Sequence, residues 1–171
     1  MKTLVTLRVN GADQEVAVQP HHTLLEVLRR EFRLFSVREG CGIGMCGACT
    51  VLLDGQPVSS CLLLAALATG KEITTLEALA TDKLHPIQQA FLDNVAFQCS
   101  YCTPGFILTT KAFLEENPSP TPAEVKDYLA GNLCRCGSYL KIMDAVLDAA
   151  KRCRDGALSP GSSLAQRAAA F

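Results

Sequence analysis

Residues 39–55 read EGCGIGMCGACTVLLDG, and this stretch decides how the first half of the chain folds. Cys41, Cys46 and Cys49 are spaced Cx4Cx2C, and Cys61 follows 12 residues after Cys49. Gly40, Gly42, Gly44 and Gly47 separate the thiols. Ligands this close in sequence need a backbone that folds tightly around an inorganic core. Glycine permits positive φ and close approach of N–H groups to sulfur. Such N–H···S bonds stabilise the negative charge that a cluster gains on reduction. A phosphate loop is the competing reading of glycine-rich sequence, but Walker A ends in Gly-Lys-Ser/Thr, and this loop does not. The stretch closes on TVLL, Asp54-Gly55 and then PVSS, a hairpin signal.

A second set of four thiols, Cys99, Cys102, Cys134 and Cys136, is written CSYC…CRC. Four thiolates are what one [2Fe–2S] cluster needs, two per iron. The spacing of the first set is that of plant-type ferredoxins, with a shorter return to the fourth cysteine. CxxC also serves zinc, so on spacing alone the second set suits a four-cysteine zinc site as well. The ninth cysteine, Cys153, reads as an ordinary buried or half-buried thiol.

The 171 residues suffice for two small domains, each supported by a metal group. Sixteen basic and seventeen acidic residues are scattered, giving a net charge of −1 and no basic stripe, so no nucleic-acid partner is expected. Charged residues make up only 19% and apolar ones 49%, a lean charge coat that suggests surface buried against partner subunits. MKTLVTLRVNG reads as a strand and turn rather than a signal peptide, and CLLLAALATG is too short to span a bilayer. Without an export signal, ligands are a better reading of the cysteines than disulfides, and a cytoplasmic location follows.

Around the first loop, LVTLRV and QEVAV alternate across Asn10-Gly11, a hairpin. Thr23 and Glu26 form a capping box for the helix LLEVLRREF, and Thr74 and Glu77 repeat the pattern. Beyond residue 76 the signals are helical. HPIQQAFLDNVAF places Ile87, Phe91 and Val95 at helical spacing, and Thr103-Pro104 opens GFILTTKAFLEE with Thr103 as N-cap. Thr121-Pro122-Ala123-Glu124 caps a third helix, and SYLKIMDAVLDAAKRC is a fourth with Ile142, Val146 and Ala149 on one face. If the helices pair antiparallel, the junctions carrying the second thiol set fall at one end. The reading is an α+β chain: a ferredoxin-like domain over 1–76, a helical domain over 77–154 and a flexible tail over 155–171.

EGCGIGMCGACTVLLDG, PVSSCL, QCSYCTPGF and GNLCRCGSY, in this order and spacing, resemble the small iron–sulfur subunit of the molybdenum hydroxylases, the xanthine dehydrogenase, aldehyde oxidase and carbon monoxide dehydrogenase family. The resemblance covers about residues 2–152. It implies a plant-ferredoxin-type β-grasp domain and a four-helix-bundle domain, each with one [2Fe–2S] cluster. It implies partners as well: a large catalytic subunit carrying Mo-pterin, a medium subunit carrying FAD or another acceptor subunit, and a dimer of heterotrimers. Electrons would pass from Mo-pterin through the helical-domain cluster, then the ferredoxin-like one. By the same resemblance Gln98 hydrogen-bonds the pterin and Cys136 is the ligand nearest it. The chain departs from the family at Ser100, where glycine is usual, at Gly137-Ser138 for Thr-Gly, and at Met45, where an acidic residue is frequent.

No nucleophile, general base or substrate pocket emerges, and His21, His22 and His85 read as surface or capping residues. Arg135, between two thiols, is either a surface arginine or a group that offsets cluster or cofactor charge. The chain reads as the non-catalytic electron-transfer part of an oxidoreductase whose substrate is an organic heterocycle or aldehyde. A freestanding ferredoxin-like carrier is the alternative, and a zinc-bound interaction module a third.

Overall fold

The computed structural model describes residues 1–80 and 82–157. In the first half, alternation sets the inward face: Leu7 and Val9, Val16 and Val18 are buried. β1 (Thr3–Val9) and β2 (Ala12–Val18) pair antiparallel about Asn10 and Gly11, with φ of 53° and 82°. β3 (Thr50–Leu53) and β4 (Gln56–Ser59) do the same about Asp54 and Gly55, with φ of 50° and 85°. Two positive φ values are the type I′ geometry that matches strand twist, and Asn-Gly and Asp-Gly adopt it with least strain.

β5 (Glu72–Thr74) joins the hairpins, parallel to β1 and antiparallel to β3, giving the order β2-β1-β5-β3-β4. Three residues carry too little alternation to be read as a strand in advance. α1 (Leu24–Arg30) lies against the sheet, with Leu24, Leu25, Val27 and Leu28 buried in one core with Val51 and Ile73. Each such side chain contributes about 1.5–3 kcal/mol on burial. The expected box at its start is present: Glu26 N–H donates to Thr23 Oγ1 (3.2 Å) and Thr23 N–H to Glu26 Oε2 (3.0 Å).

The repeat of that box at Thr74 and Glu77 does not form. Thr74 is buried in β5, and a 3-10 turn over Leu76–Ala78 starts one residue later without a side-chain cap. The Glu77 carboxylate instead accepts from Ser36 N–H (3.0 Å), Ser36 Oγ–H (2.5 Å) and Thr75 Oγ1–H (2.6 Å). Sheet pairing and those donors outweigh a local cap.

The second half is helical, as expected: α2 (Pro86–Asp93), α3 (Thr103–Glu116), α4 (Pro122–Tyr128) and α5 (Tyr139–Arg152). Their core gathers Ile87, Phe91, Phe106, Val125, Ile142, Val146 and Ala149. His85 caps α2, accepting from Ile87 N–H (3.2 Å), and Thr121 and Glu124 form the expected box on α4. Two starts and stops differ from the sequence reading. α2 ends at Asp93, so Val95 is not helical; it has φ 48° and is 52% exposed. α3 is capped by Cys102, with Thr103 already inside the helix and Pro104 in its first turn. Cys153 is half-buried against the helical core, and burial pushes its thiol up. Of the expected tail, residues 158–171 lie outside the described residues; Cys153–Ala157 form one wide helical turn.

The halves share an apolar seam. Leu52 of β3 packs with Leu108 and Ala112 of α3, and Leu79 joins them. Leu76 and Leu79 also pack on the helical core.

Candidate metal centres

Cys41, Cys46 and Cys49 sit on the loop between α1 and β3, and Cys61 joins them from just after β4. Gly42, Gly44 and Gly47 take φ of 67°, 74° and 68°, which turns backbone N–H groups inward. Met45 N–H donates to Cys41 Sγ (3.3 Å). A Cβ on Gly40 would lie 2.8 Å from Cys46 Sγ, so the cradle leaves no room for a side chain there. Cys41 and Cys46 are half-buried and face each other; Cys49 and Cys61 are buried and do the same. The N–H of Ile43, with the Cys46 thiol and the N–H groups of Met45 and Cys46, brings the Cys41 thiol down to about 7. Burial, then the Cys49 thiol, pushes Cys61 up to about 11.

In the second set, the α2–α3 and α4–α5 junctions fall at one end of the helices, as expected, although 31 residues separate Cys102 from Cys134. Exposed Cys99 faces half-buried Cys136, and half-buried Cys102 faces buried Cys134. Burial, then the Cys134 thiol, pushes Cys102 up to about 12, whereas the Tyr101 N–H lowers Cys99. Burial raises Cys134, but Ser138 N–H (3.4 Å to its Sγ), the Cys102 thiol and Cys136 N–H outweigh it and leave it lowered. Beside Cys102, Thr103 Oγ1 is sealed from solvent and finds no partner among the described residues.

Among the described residues, no three His, Cys, Asp or Glu groups converge as they would on one metal ion. A four-cysteine zinc site draws its sulfurs to about 2.3 Å from one point. Here each thiol's hydrogen-bonding partner is one other thiol of its set, an arrangement that fits two ligands per iron. Inward N–H groups, a cradle closed to a Cβ and an orphaned hydroxyl beside a thiol all fit a [2Fe–2S] group in each domain.

Gln98 is exposed beside the second set, and its Nε2–H donates to the Cys136 carbonyl (3.3 Å), tying the two junctions together. Arg135 is exposed and makes no hydrogen bond or ion pair among the described residues. Ser100 has φ 57°, a conformation costing an L-residue roughly 1–2 kcal/mol, which is why glycine suits this position. Gly137, φ 78°, turns the chain so that Ser138 N–H reaches Cys134.

The two sets meet across the seam, which spacing did not reveal. Leu133 N–H, one residue before Cys134, donates to the Cys46 carbonyl (2.9 Å). Buried Asn132 donates from Nδ2 to the Gly47 carbonyl (3.3 Å). A Cβ on Gly105 would stand 2.1 Å from that same carbonyl. One ligand loop is therefore hydrogen-bonded to the other.

Two family profiles match. One, described as "2Fe-2S iron-sulfur cluster binding domain", spans residues 7–80, and the other, "[2Fe-2S] binding domain", spans residues 75–147. The chain is 48% identical over 153 residues to the nicotinate dehydrogenase small FeS subunit of Eubacterium barkeri, covering 89% of this chain and 98% of that one. It is 48% identical over 145 residues to the nicotine 6-hydroxylase small subunit of Paenarthrobacter nicotinovorans, covering 85% and 88%. Among solved structures, quinoline 2-oxidoreductase from Pseudomonas putida 86 superposes with a TM-score of 0.87 at 38% identity, over 92% of this chain and 99% of that one. Two matched [2Fe–2S] domain profiles and relatives matched over most of their length place this chain in the family of small [2Fe–2S] subunits of the molybdenum hydroxylases (xanthine and aldehyde oxidase-like), where it serves as the electron-transfer subunit of an oxidoreductase complex.

Proposed function

We propose that Cys41, Cys46, Cys49 and Cys61 hold one [2Fe–2S] cluster and Cys99, Cys102, Cys134 and Cys136 the other, and that they relay electrons from a Mo-pterin subunit to a flavin subunit. Each cluster, when bound, takes up and gives up one electron at a time. The chain's residues determine where the two lie and what surrounds them. The Leu133 N–H···Cys46 carbonyl bond carries the proposal, because it couples a ligand residue of one set to the peptide before a ligand of the other. Two sets joined across a seam suit a wire with two ends.

The ends differ in surface. Ile43, Met45 and Leu62 are exposed beside the first set, at 67%, 66% and 62%. Leu133, Tyr139 and Leu140 are exposed around the second. Apolar surface at both ends supports partners at both, with the flavin subunit docking on the first and the Mo-pterin subunit on the second. The assembly is read as a dimer of heterotrimers. Relatives named for nicotinate, nicotine and quinoline, beside others named for aldehydes, suit an N-heteroaromatic or aldehyde substrate. Among the described residues no helix is long and apolar enough to cross a membrane, and cysteines used as ligands rather than disulfides favour the cytoplasm.

The assembled complex is expected to contain about four iron and four labile sulfide per copy of this chain, two per set of four thiols. Its reduced form is expected to give two distinct electron paramagnetic resonance signals, because the two sets lie in different folds. Stoichiometric zinc in either site, or one signal of one spin per chain, would refute it.

Gln98 is proposed to present its amide to the pterin while its Nε2–H holds the Cys136 carbonyl. Gln98→Ala is expected to keep full iron and both signals. Gln98 is exposed in this chain, and once the pterin subunit covers it, losing its amide bond costs about 1–3 kcal/mol, expressed as lost molybdenum, weaker docking or slower reduction of the neighbouring cluster. If molybdenum content, assembly mass and reduction rate all match wild type, Gln98 only ties the junctions together.

A further inference from the structure

Arg38 lies three residues before Cys41, yet its side chain serves the other domain. Its backbone N–H donates to the Ala48 carbonyl (3.2 Å), which fixes it to the first ligand loop between Cys46 and Cys49. Its guanidinium crosses the seam and donates to the carbonyl of Ser100, inside the Cys99–Cys102 loop. There it also stacks over the Tyr101 ring, 5.3 Å from the centroid. Tyr101 answers in the opposite direction, its hydroxyl donating to the Glu39 carbonyl (2.6 Å). Among the described residues Arg38 enters no ion pair.

A tie between domains could be made by any donor. This one delivers a guanidinium that enters no ion pair among the described residues to the backbone between two thiols of the second set. It also pins Ser100, which holds a left-handed φ of 57° without being glycine. A four-thiolate cluster becomes more negative on reduction, and a nearby fixed cation favours the reduced form.

We propose that Arg38, reaching from the ferredoxin-like domain, is a positioning residue that raises the reduction potential of the second cluster and fixes its ligand loop against the first domain. The proposal rests on the two-cluster reading. The cation biases the electron toward the cluster whose ligand loop it holds, next to the point where electrons enter. Lysine at position 38 would keep the charge but not the planar stacking on Tyr101.

The experiment is redox titration of the assembled complex, followed by electron paramagnetic resonance, for wild type and Arg38→Lys, Arg38→Gln and Arg38→Met. Wild type must first show two signals; if it shows one, the two-cluster reading itself fails. With two, Arg38→Gln and Arg38→Met are expected to lower the second cluster's reduction equilibrium by about tenfold, or about 59 mV for a one-electron couple. Arg38→Lys is expected to stay closer to wild type, and the first cluster to move less in every variant. Unchanged second-cluster potentials, or equal shifts in both clusters, overturn the proposal. Loss of the second cluster from all three variants also overturns it, because Arg38 would then hold the fold rather than set a potential.

Discussion

Cys136→Ser is expected to stop substrate-driven reduction of the flavin while leaving the first cluster's signal in place. Cys136 faces Cys99 at the exposed end of the second set, where Gln98 also sits. Changes around a metal site cost about 10–100-fold in affinity or activity, and removing a ligand exceeds that. The first set should survive, because its thiols belong to another domain with its own core. Cys49→Ser is expected to do the reverse: the second cluster still reduces with substrate, but its electron does not reach the flavin. Cys49 is 2% exposed and faces Cys61, so the loss falls on the inner pair of the first set. Rapid-mixing measurement of flavin bleaching, with signals recorded on the same samples, checks both. Wild-type flavin reduction in either variant with one signal missing would mean that the cluster is not an obligatory relay.

What could be read in advance was local. Asn10-Gly11 and Asp54-Gly55 need only their own φ values to close a hairpin, and both do. Thr23 with Glu26, and Thr121 with Glu124, need only three residues of helix. The failures come where a distant partner competes. Thr74 is drawn into β5 by β1 and β3, whose sequences lie far from it, and Glu77 is taken by Ser36, 41 residues away. Thr103 looked like a cap beside Pro104, but the ligand loop brings Cys102 into that place. Val95 fitted a helical stripe, yet the turn toward Cys99 unwinds it to φ 48°.

The two sets of four were legible because each set's spacing is itself chemical information. How the sets lie against each other was not. Leu133 with Cys46, Arg38 with Ser100 and Gly105 with Gly47 are pairings between the halves, and neither half's pattern encodes the other's surface. The glycines of the first loop read as room for sulfur. Gly47 is also a docking point, for its carbonyl accepts from Thr50 N–H (3.2 Å), Thr50 Oγ1–H (2.8 Å) and Asn132 Nδ2–H (3.3 Å).

That carbonyl makes Gly105→Ala the sharpest test of the seam. Within a helix, alanine is favoured over glycine by about 1 kcal/mol, so local propensity predicts stabilisation. The new Cβ would lie 2.1 Å from the Gly47 carbonyl oxygen and 3.2 Å from its carbon. Three donors hold the oxygen, and a Cβ on Gly47 itself would meet Asn132 Nδ2 at 2.5 Å, so the loop has no slack on that side. Forcing a methyl group into packed structure typically costs about 1–3 kcal/mol, and a backbone obstacle puts this case at the upper end or beyond. The net effect is therefore expected to be destabilising, and the strain falls on the bond from Leu133 to Cys46 close by. Gly131→Ala is the control, because nothing stands within 4 Å of its Cβ. In the reduced complex, Gly105→Ala is expected to lower the unfolding temperature and weaken the magnetic interaction between the clusters, while Gly131→Ala changes neither comparably. A Gly105→Ala complex that matches wild type in both would show that α3 and the first ligand loop can slide apart without cost, and the close approach of the two loops would then not be what fixes the clusters relative to each other.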